Sequence, residues 1–469
     1  MHSQAAPLAN VLRDSTPANF AELFLNQRDR RILRTEAGLR NQDPAAGSLL
    51  TVHEETPFGW LLAQKSQIAQ RGSEQYVPCT IEELLYLDQE VLQPILGVLA
   101  TTSDWESLHV DQREQLQSAA MSARMFGYEL EIFRDRARSQ DFLVFHESLP
   151  RTRHWGTFVF RWTLTQPCVI EVPHPILEQN TFEFGVGLFR RAEAGALLVA
   201  GADPRANLDG SADTLRYRNR VNLVNLVRDV LWRTAKDANR LLVHARAIRA
   251  PVNADMLIAI DRGLITAEQF TPLQRQLVQL LHDDGLTTQL LDGSAVTAGY
   301  EVPGFLLETV QAAHANKELA IAWLSPGLRH LYTQQSEGDL LDGMFQALEI
   351  ATTHQKLVDL LTTSGTRPLP RDDAARVRHC AEEFLANYDI VRLRLLQQAT
   401  RGWPMMRVID ATAGQSFLCV RHADGAVAAI VNLRAIDPGS HIAVPAGTIG
   451  AAALEAFIES RIALLEVEP

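Results

Sequence analysis

Cysteine is scarce in this chain. Cys79, Cys168, Cys380 and Cys419 are spread over 469 residues with no CxxC pair, which argues against a thiolate zinc knuckle and a disulfide framework. Long apolar runs are missing too. No window approaches the roughly 20 apolar residues that a membrane helix needs. The start, Met1-His-Ser-Gln-Ala-Ala-Pro-Leu8, has no basic stretch leading into an apolar one, so it does not read as a secretory signal. These absences lead us to expect a cytoplasmic protein with no membrane partner. Basic charge is also short: 44 Lys and Arg stand against 56 Asp and Glu, for a net charge of -12. A non-specific nucleic-acid binder needs the opposite balance. No GxGxxG opens a helix after a strand, and no P-loop or GxSxG elbow occurs, so nucleotide binding and a serine nucleophile have no local support. Internal repeats and low-complexity tracts are absent.

What is present is ordinary globular composition, with 46% apolar and 21% charged residues, over a length that at roughly 150 residues per domain suits two or three domains. Residues 1–140 read as a helical region. Thr80 with Glu83 three residues on forms a capping box, apolar residues recur at helical spacing from Leu84 to Leu99, and a second helix is expected from Val110 to Met125. Residues 141–362 alternate short apolar runs with amphipathic stretches. The runs are Phe142–Phe145, Thr157–Trp162, Cys168–Val172, Ala196–Ala200, Leu241–His244, Met256–Ile260, Thr288–Leu291 and Glu318–Ser325. The amphipathic stretches are Thr181–Ala192, Arg220–Ala235, Ala267–His282, Phe305–Ala315 and Gly338–Thr362. That alternation predicts an α/β fold with a mixed or mostly parallel central sheet flanked by helices. After the turn-rich stretch Thr363–Pro370, residues 370–469 read as a small α+β module: a helix over 373–398, strands at 406–409, 416–421 and 426–433, and a last helix near 451–465.

The stretch richest in chemistry begins where the apolar run Cys168–Val172 ends. His174 follows, with Glu178 four residues on, and Asn180 with Glu183 reads as the cap of the next helix. Ligands of open α/β sheets gather beyond the carboxyl ends of strands. Pro175 biases His174 toward extended backbone, so the pair is expected on a loop. His244 closes Leu241-Leu-Val and, on a neighbouring parallel strand, would reach the same rim. Two imidazoles, one carboxylate and an open fourth position make the ligand set of a hydrolytic Zn2+ site. Between them Asp209-Gly210 marks a turn, and Arg216, Arg218, Asn219 and Arg220 follow. This run could hold a substrate carboxylate or an oxyanion, or be the solvated face of a helix.

Through His174, Glu178, the Asn207-Leu-Asp209-Gly210 to Arg216-Tyr-Arg218-Asn219-Arg220 run and His244, the region 142–335 resembles the zinc carboxypeptidase superfamily. The likeness is to its succinylglutamate desuccinylase/aspartoacylase and poly-γ-glutamate hydrolase branches. Glu178-Gln-Asn-Thr-Phe-Glu183 is similar to a Glu-Pro-Gly-Thr-x-Glu phrase of the latter, and Leu324-Ser-Pro-Gly-Leu-Arg329 to a late strand and turn. The resemblance implies a zinc-exopeptidase-like fold and Zn2+ held by His174, Glu178 and His244. It also implies hydrolysis of an amide or peptide bond near a free carboxylate, in a small-molecule or peptide substrate. Arg216 or Arg218 would anchor the carboxylate or oxyanion, with Asn219 and Arg220 beside them. Two departures stand out. The pair is spaced HxxxE rather than HxxE, and Trp323 occupies the position of the family's catalytic Glu. Glu318, at the start of the same strand, and Glu301 are the alternative bases. The rival reading is a non-catalytic binding or scaffold protein that retains the fold.

Bland readings cover the other polar residues. Asp203 and Asp209 read as turn residues, His146-Glu147 and His154-Trp155 as sheet edge or loop surface, and His379-Cys380 as structural. His282 with Gly285 reads as a helix C-terminus with its glycine cap.

Overall fold

The computed structural model describes residues 49–136, 138–164, 166–234, 240–249, 252–260, 270–291, 299–303, 306, 317–332, 348–351, 367, 369–385, 390–399, 404–410, 415–432 and 444–445. The expected helices at 305–315 and 451–465 fall, but for residue 306, outside them, as do most of the turn-rich stretch at 363–370 and much of the expected helix at 338–362. The chain divides into two compact units, residues 1–278 with 288–326, and residues 279–287 with 327–469.

The first unit is α/β, as expected, and is built on a ten-stranded mixed sheet. Its strands are β1 (Thr51–His53), β2 (Tyr128–Asp135), β3 (Gln140–Glu147), β4 (Thr157–Arg161), β5 (Cys168–Val172), β6 (Ala196–Val199), β7 (Arg240–Ala247), β8 (Met256–Ala259), β9 (Thr288–Leu290) and β10 (Lys317–Leu324), in the order β1-β2-β3-β4-β6-β5-β7-β10-β8-β9. β6, β5, β7 and β10 run parallel, whereas β2, β3 and β4 form an antiparallel meander. The parallel strands are apolar on both faces, as they must be when helices cover the sheet on both sides.

Helix α1 (Pro57–Ala63) precedes α2 (Ile81–Tyr86), where Thr80 and Glu83 form the expected capping box. A π turn over Leu87–Leu92 follows and then α3 (Gln93–Thr101), with α4 at Val110–Arg124. The π turn lies against Pro94, which has no amide hydrogen to offer the preceding turn. It buries Asp88, whose carboxylate takes two 2.8 Å hydrogen bonds from Arg233 of α6 (Leu223–Thr234). The described part of residues 1–140 therefore belongs to the same compact unit as the centre, and two of its segments are strands of the main sheet. The alternation in Tyr128-Glu-Leu-Glu-Ile132 is the strand signal that the helical reading passed over.

Helix α5 (Thr181–Arg191) links β5 to β6, and α6 links β6 to β7. A Cβ on Gly185 would stand 2.4 Å from Val172 Cγ2, so glycine lets α5 sit close on β5. The opposite face of β5 and β7 meets α6. There Glu171 and His244 are register partners, and Arg228 of α6 reaches Glu171. Helix α7 (Pro272–Asp283) ends as expected, with Gly285 at positive φ donating its amide to His282 O.

The second unit carries a five-stranded sheet of β11 (Leu348–Ala351), β12 (Met405–Asp410), β13 (Gln415–Arg421), β14 (Val427–Asn432) and β15 (Val444–Pro445), in that order, with helices α8 (Arg371–Leu385) and α9 (Ile390–Ala399). Leu348–Ala351 corrects the expected helix at 338–362: the short apolar Leu-Glu-Ile-Ala pairs in parallel with β12. The expected helix at 373–398 is two helices, which pack on each other through Arg392 and Glu383.

Candidate functional site

His174 and Glu178 sit on the loop that leaves the carboxyl end of β5, as the Pro175 argument required. The amide of Glu178 donates to His174 O at 3.1 Å, so the loop turns back and presents both side chains together. Imidazole Nδ1 is 3.0 Å from Glu178 Oε1, and Nε2 is 3.1 Å from Asp213 Oδ1. Burial opposes protonation of His174, but the two carboxylates outweigh it and raise its pKa above 6.5. Carboxylates only accept, so each of the two contacts calls for a hydrogen on the ring nitrogen that makes it.

Glu178 is held further. Arg246 Nε lies 2.9 Å from both its oxygens, Arg246 Nη2 lies 2.7 Å from Oε1, and the amide of Ala247 donates to Oε2 at 2.8 Å. Desolvation works against the charge, yet His174 and Arg246 bring the pKa of Glu178 down from 4.5 to about 2. Asp213 is lowered in the same way, with burial opposed by the bond to His174. The guanidinium of Arg246 lies 4.8 Å over the ring of its register partner Trp323. Trp323 in turn donates from Nε1 to Tyr300 O at 2.8 Å and packs edge-on against the Tyr300 ring. The guanidinium that holds Glu178 thus lies under an aromatic cover.

His244 does not end its strand. β7 continues for three further residues, so His244 is wholly buried inside the sheet and Arg246, two residues on and facing the same way, holds the rim. His244 Nε2 is 3.5 Å from Glu171 Oε1, without hydrogen-bond geometry. Burial first, then the charges of Arg228, Arg246 and His174, push its pKa well down. The same burial raises Glu171, against the pull of Arg228.

The other expected site residues do not converge on this point. Glu318 lies at the amino end of β10, paired with Leu241, five residues along the strand from the Trp323 position and therefore about 16 Å away. It accepts a hydrogen bond from Thr271, and burial raises its pKa. Glu301 accepts the amide of Gly299 at 2.8 Å and so closes its own turn. Arg216 is half exposed and pairs with Asp213 at 3.3 Å. Arg218 is exposed, and Arg220 folds back onto the hydroxyl and ring of Tyr217. Asn219 donates to Gly210 O and Asp213 O, which fastens the loop that carries Asp213. Asp203 and Asp209 are the turn residues expected, each accepting an amide two residues on. Asn180 takes the N-cap position but with left-handed backbone and no side-chain cap bond, and Glu183 pairs with Lys65 instead.

The zinc expectation fails a fit test on these donors. A metal needs an unprotonated imidazole nitrogen and a carboxylate lone pair free to reach it. His174 spends both nitrogens on carboxylates, and Glu178 spends both oxygens on Arg246, Ala247 and His174. Among the described residues one set of three His, Cys, Asp or Glu side chains has ligand atoms within 4.8 Å of one another, and it is Glu129, Glu131 and His146. His174, Glu178 and His244 form no such set. Sequence reasoning missed Arg246, Asp213, Glu171 and Arg228. Glu171, His244 and Arg246 were visible as polar interruptions of apolar parallel strands.

No helix among the described residues is long and apolar enough to cross a membrane. No family model and no curated protein matches the chain. Among solved structures, the LapA aminopeptidase of Legionella pneumophila matches with 11% identity over 64% of this chain and 71% of that one, at a TM-score of 0.20; a likeness so slight carries no argument.

Proposed function

We infer that the protein is a non-catalytic binding or scaffold protein built on an α/β sheet of the zinc-exopeptidase type. The observation that carries this reading is the Arg246 guanidinium seated on both oxygens of Glu178. It supplies the positive charge that a metal would bring, and it consumes the donor that a metal would need. Trp323 over that guanidinium supports the same reading, because the side chain at this place offers no proton acceptor. One observation favours the hydrolase reading: both ring nitrogens of wholly buried His244 lack a hydrogen-bond partner.

The test is turnover of a panel of N-acyl amino acids and short α- and γ-linked peptides by zinc-supplemented protein, with zinc content measured on wild type, His174→Ala and Glu178→Gln. The expected result is no turnover and a zinc content that neither substitution changes. Turnover that Glu178→Gln abolishes, or zinc that leaves with His174→Ala, would overturn the reading.

A further inference from the structure

A second histidine–glutamate group lies across three strands at the other end of the sheet. His53 comes from β1, Glu129 and Glu131 from β2, and His146 from β3; Glu129 and His146 are register partners. His146 was expected at a sheet edge or on a loop surface, but it lies inside the sheet, between β2 and β4, and is 5% exposed.

The hydrogen bonding fixes its tautomer. His146 Nδ1 is 3.0 Å from the carbonyl oxygen of Glu147. A carbonyl only accepts, so Nδ1 carries a hydrogen, and Nε2 is the ring nitrogen left to meet Glu131 Oε2, 3.6 Å away. His53 Nε2 comes within 3.2 Å of the same oxygen. None of these three buried atoms has a hydrogen-bond partner. A buried carboxylate oxygen and a buried imidazole nitrogen that face each other without a hydrogen bond are donors that a cation would bridge. Glu129 joins them: the ligand atoms of Glu129, Glu131 and His146 lie within 4.8 Å of one another, a set that His53 does not enter, and ligands about 2.0–2.2 Å from a tetrahedral ion stand about 3.3–3.6 Å apart, so a small inward shift closes the site.

The rings are held in place by their neighbours. His53 stacks on Phe133 with centroids 4.4 Å apart, and Trp60 of α1 meets the His146 ring edge-on at 4.7 Å. The bond from His146 Nδ1–H to a backbone carbonyl is the support that a metal-ligating imidazole ordinarily has. The His53 side chain is 30% exposed, which leaves an entry path.

We propose that His146 Nε2, Glu131 and Glu129 form a binding site for a zinc-class divalent ion between β2 and β3, with His53 of the three-residue edge strand β1 beside it. An imidazole with carboxylates favours borderline transition ions over magnesium or calcium, which prefer all-oxygen shells. The site is independent of the His174 cluster and of the non-catalytic reading.

The test is calorimetric titration of the full chain, stripped with chelator, with zinc and separately with magnesium, alongside thermal unfolding. One zinc should bind and raise the unfolding temperature, because it binds the folded state alone. Magnesium should do neither. His146→Gln and Glu131→Gln should each weaken zinc binding by more than about 100-fold, beyond the loss that follows removal of a supporting hydrogen bond. Glu129→Gln, at a half-buried position that leaves the fold intact, should weaken it less, and His174→Ala should leave it unchanged. Zinc binding weaker than about 1 mM, equal binding of magnesium, or affinity unchanged in both His146→Gln and Glu131→Gln would overturn the proposal.

Discussion

Two groups of histidine and glutamate sit in one sheet and have opposite electrostatic states. On the β5 and β7 rim, His174, Glu178 and Asp213 are joined by Arg246 and the amide of Ala247, and the carboxylates and the imidazole are paired. On β1, β2 and β3, the imidazoles of His53 and His146 stand 3.2 and 3.6 Å from Glu131 with no hydrogen bond between them. Residue types alone do not separate these cases. What separates them is whether the protein already provides the cation. A guanidinium within reach converts a ligand set into an ion-pair network, because its fixed fork satisfies both carboxylate oxygens at once.

The largest effect that would break this contrast comes from removing that cation. Arg246→Ala should destabilise the fold by about 3 kcal/mol, since it leaves half-buried Glu178 with only His174 and the Ala247 amide to offset its charge; chemical denaturation measures it. Trp323→Leu removes the stacking over Arg246 and the bond to Tyr300, and should cost about 1–3 kcal/mol by the same assay. The pH dependence comes next. The raised His174 pKa means that its contribution is complete below 6.5 and fades as pH climbs past the raised value. The depressed Glu178 pKa means that its contribution is complete above 4.5 and is lost as pH falls toward about 2. The network is therefore strongest between 4.5 and 6.5. Wild type should lose stability relative to His174→Gln when denaturation is repeated at about pH 9 instead of about pH 5.5. Equal differences at the two values would show that His174 is not charged. The smallest effect is Arg218→Ala, within about 0.5 kcal/mol, because the side chain is exposed.

Much of the fold was legible because the parallel strands are short apolar runs between amphipathic stretches. β5, β6, β7, β8 and β10 fall within a few residues of where periodicity put them, and so do α4, α5, α6 and the Thr80 cap. The loop position of His174 and Glu178 was also legible, from Pro175 and the end of an apolar run. What failed did so for definable reasons. His244 was taken as a strand end because polar His-Ala-Arg follows Leu-Leu-Val, but pairing with β10 carries β7 on to Ala247, three residues beyond the last partner in β5. Glu318 had the right residue type on the right strand, at the wrong end of it. His146 looked superficial because a His-Glu pair is polar, yet both are buried. Glu147 accepts amides from the loop that follows, and His146 turns toward Glu131. Interactions such as Arg246 on Glu178 join residues 68 positions apart, and no local pattern reports them.

Zinc stoichiometry on matched variants tests the central contrast most directly. Protein loaded with zinc, then desalted, is assayed for metal in wild type, His146→Gln and His174→Ala. The account predicts one zinc in wild type, one in His174→Ala and none in His146→Gln. Zinc that persists in His146→Gln and disappears in His174→Ala would contradict it.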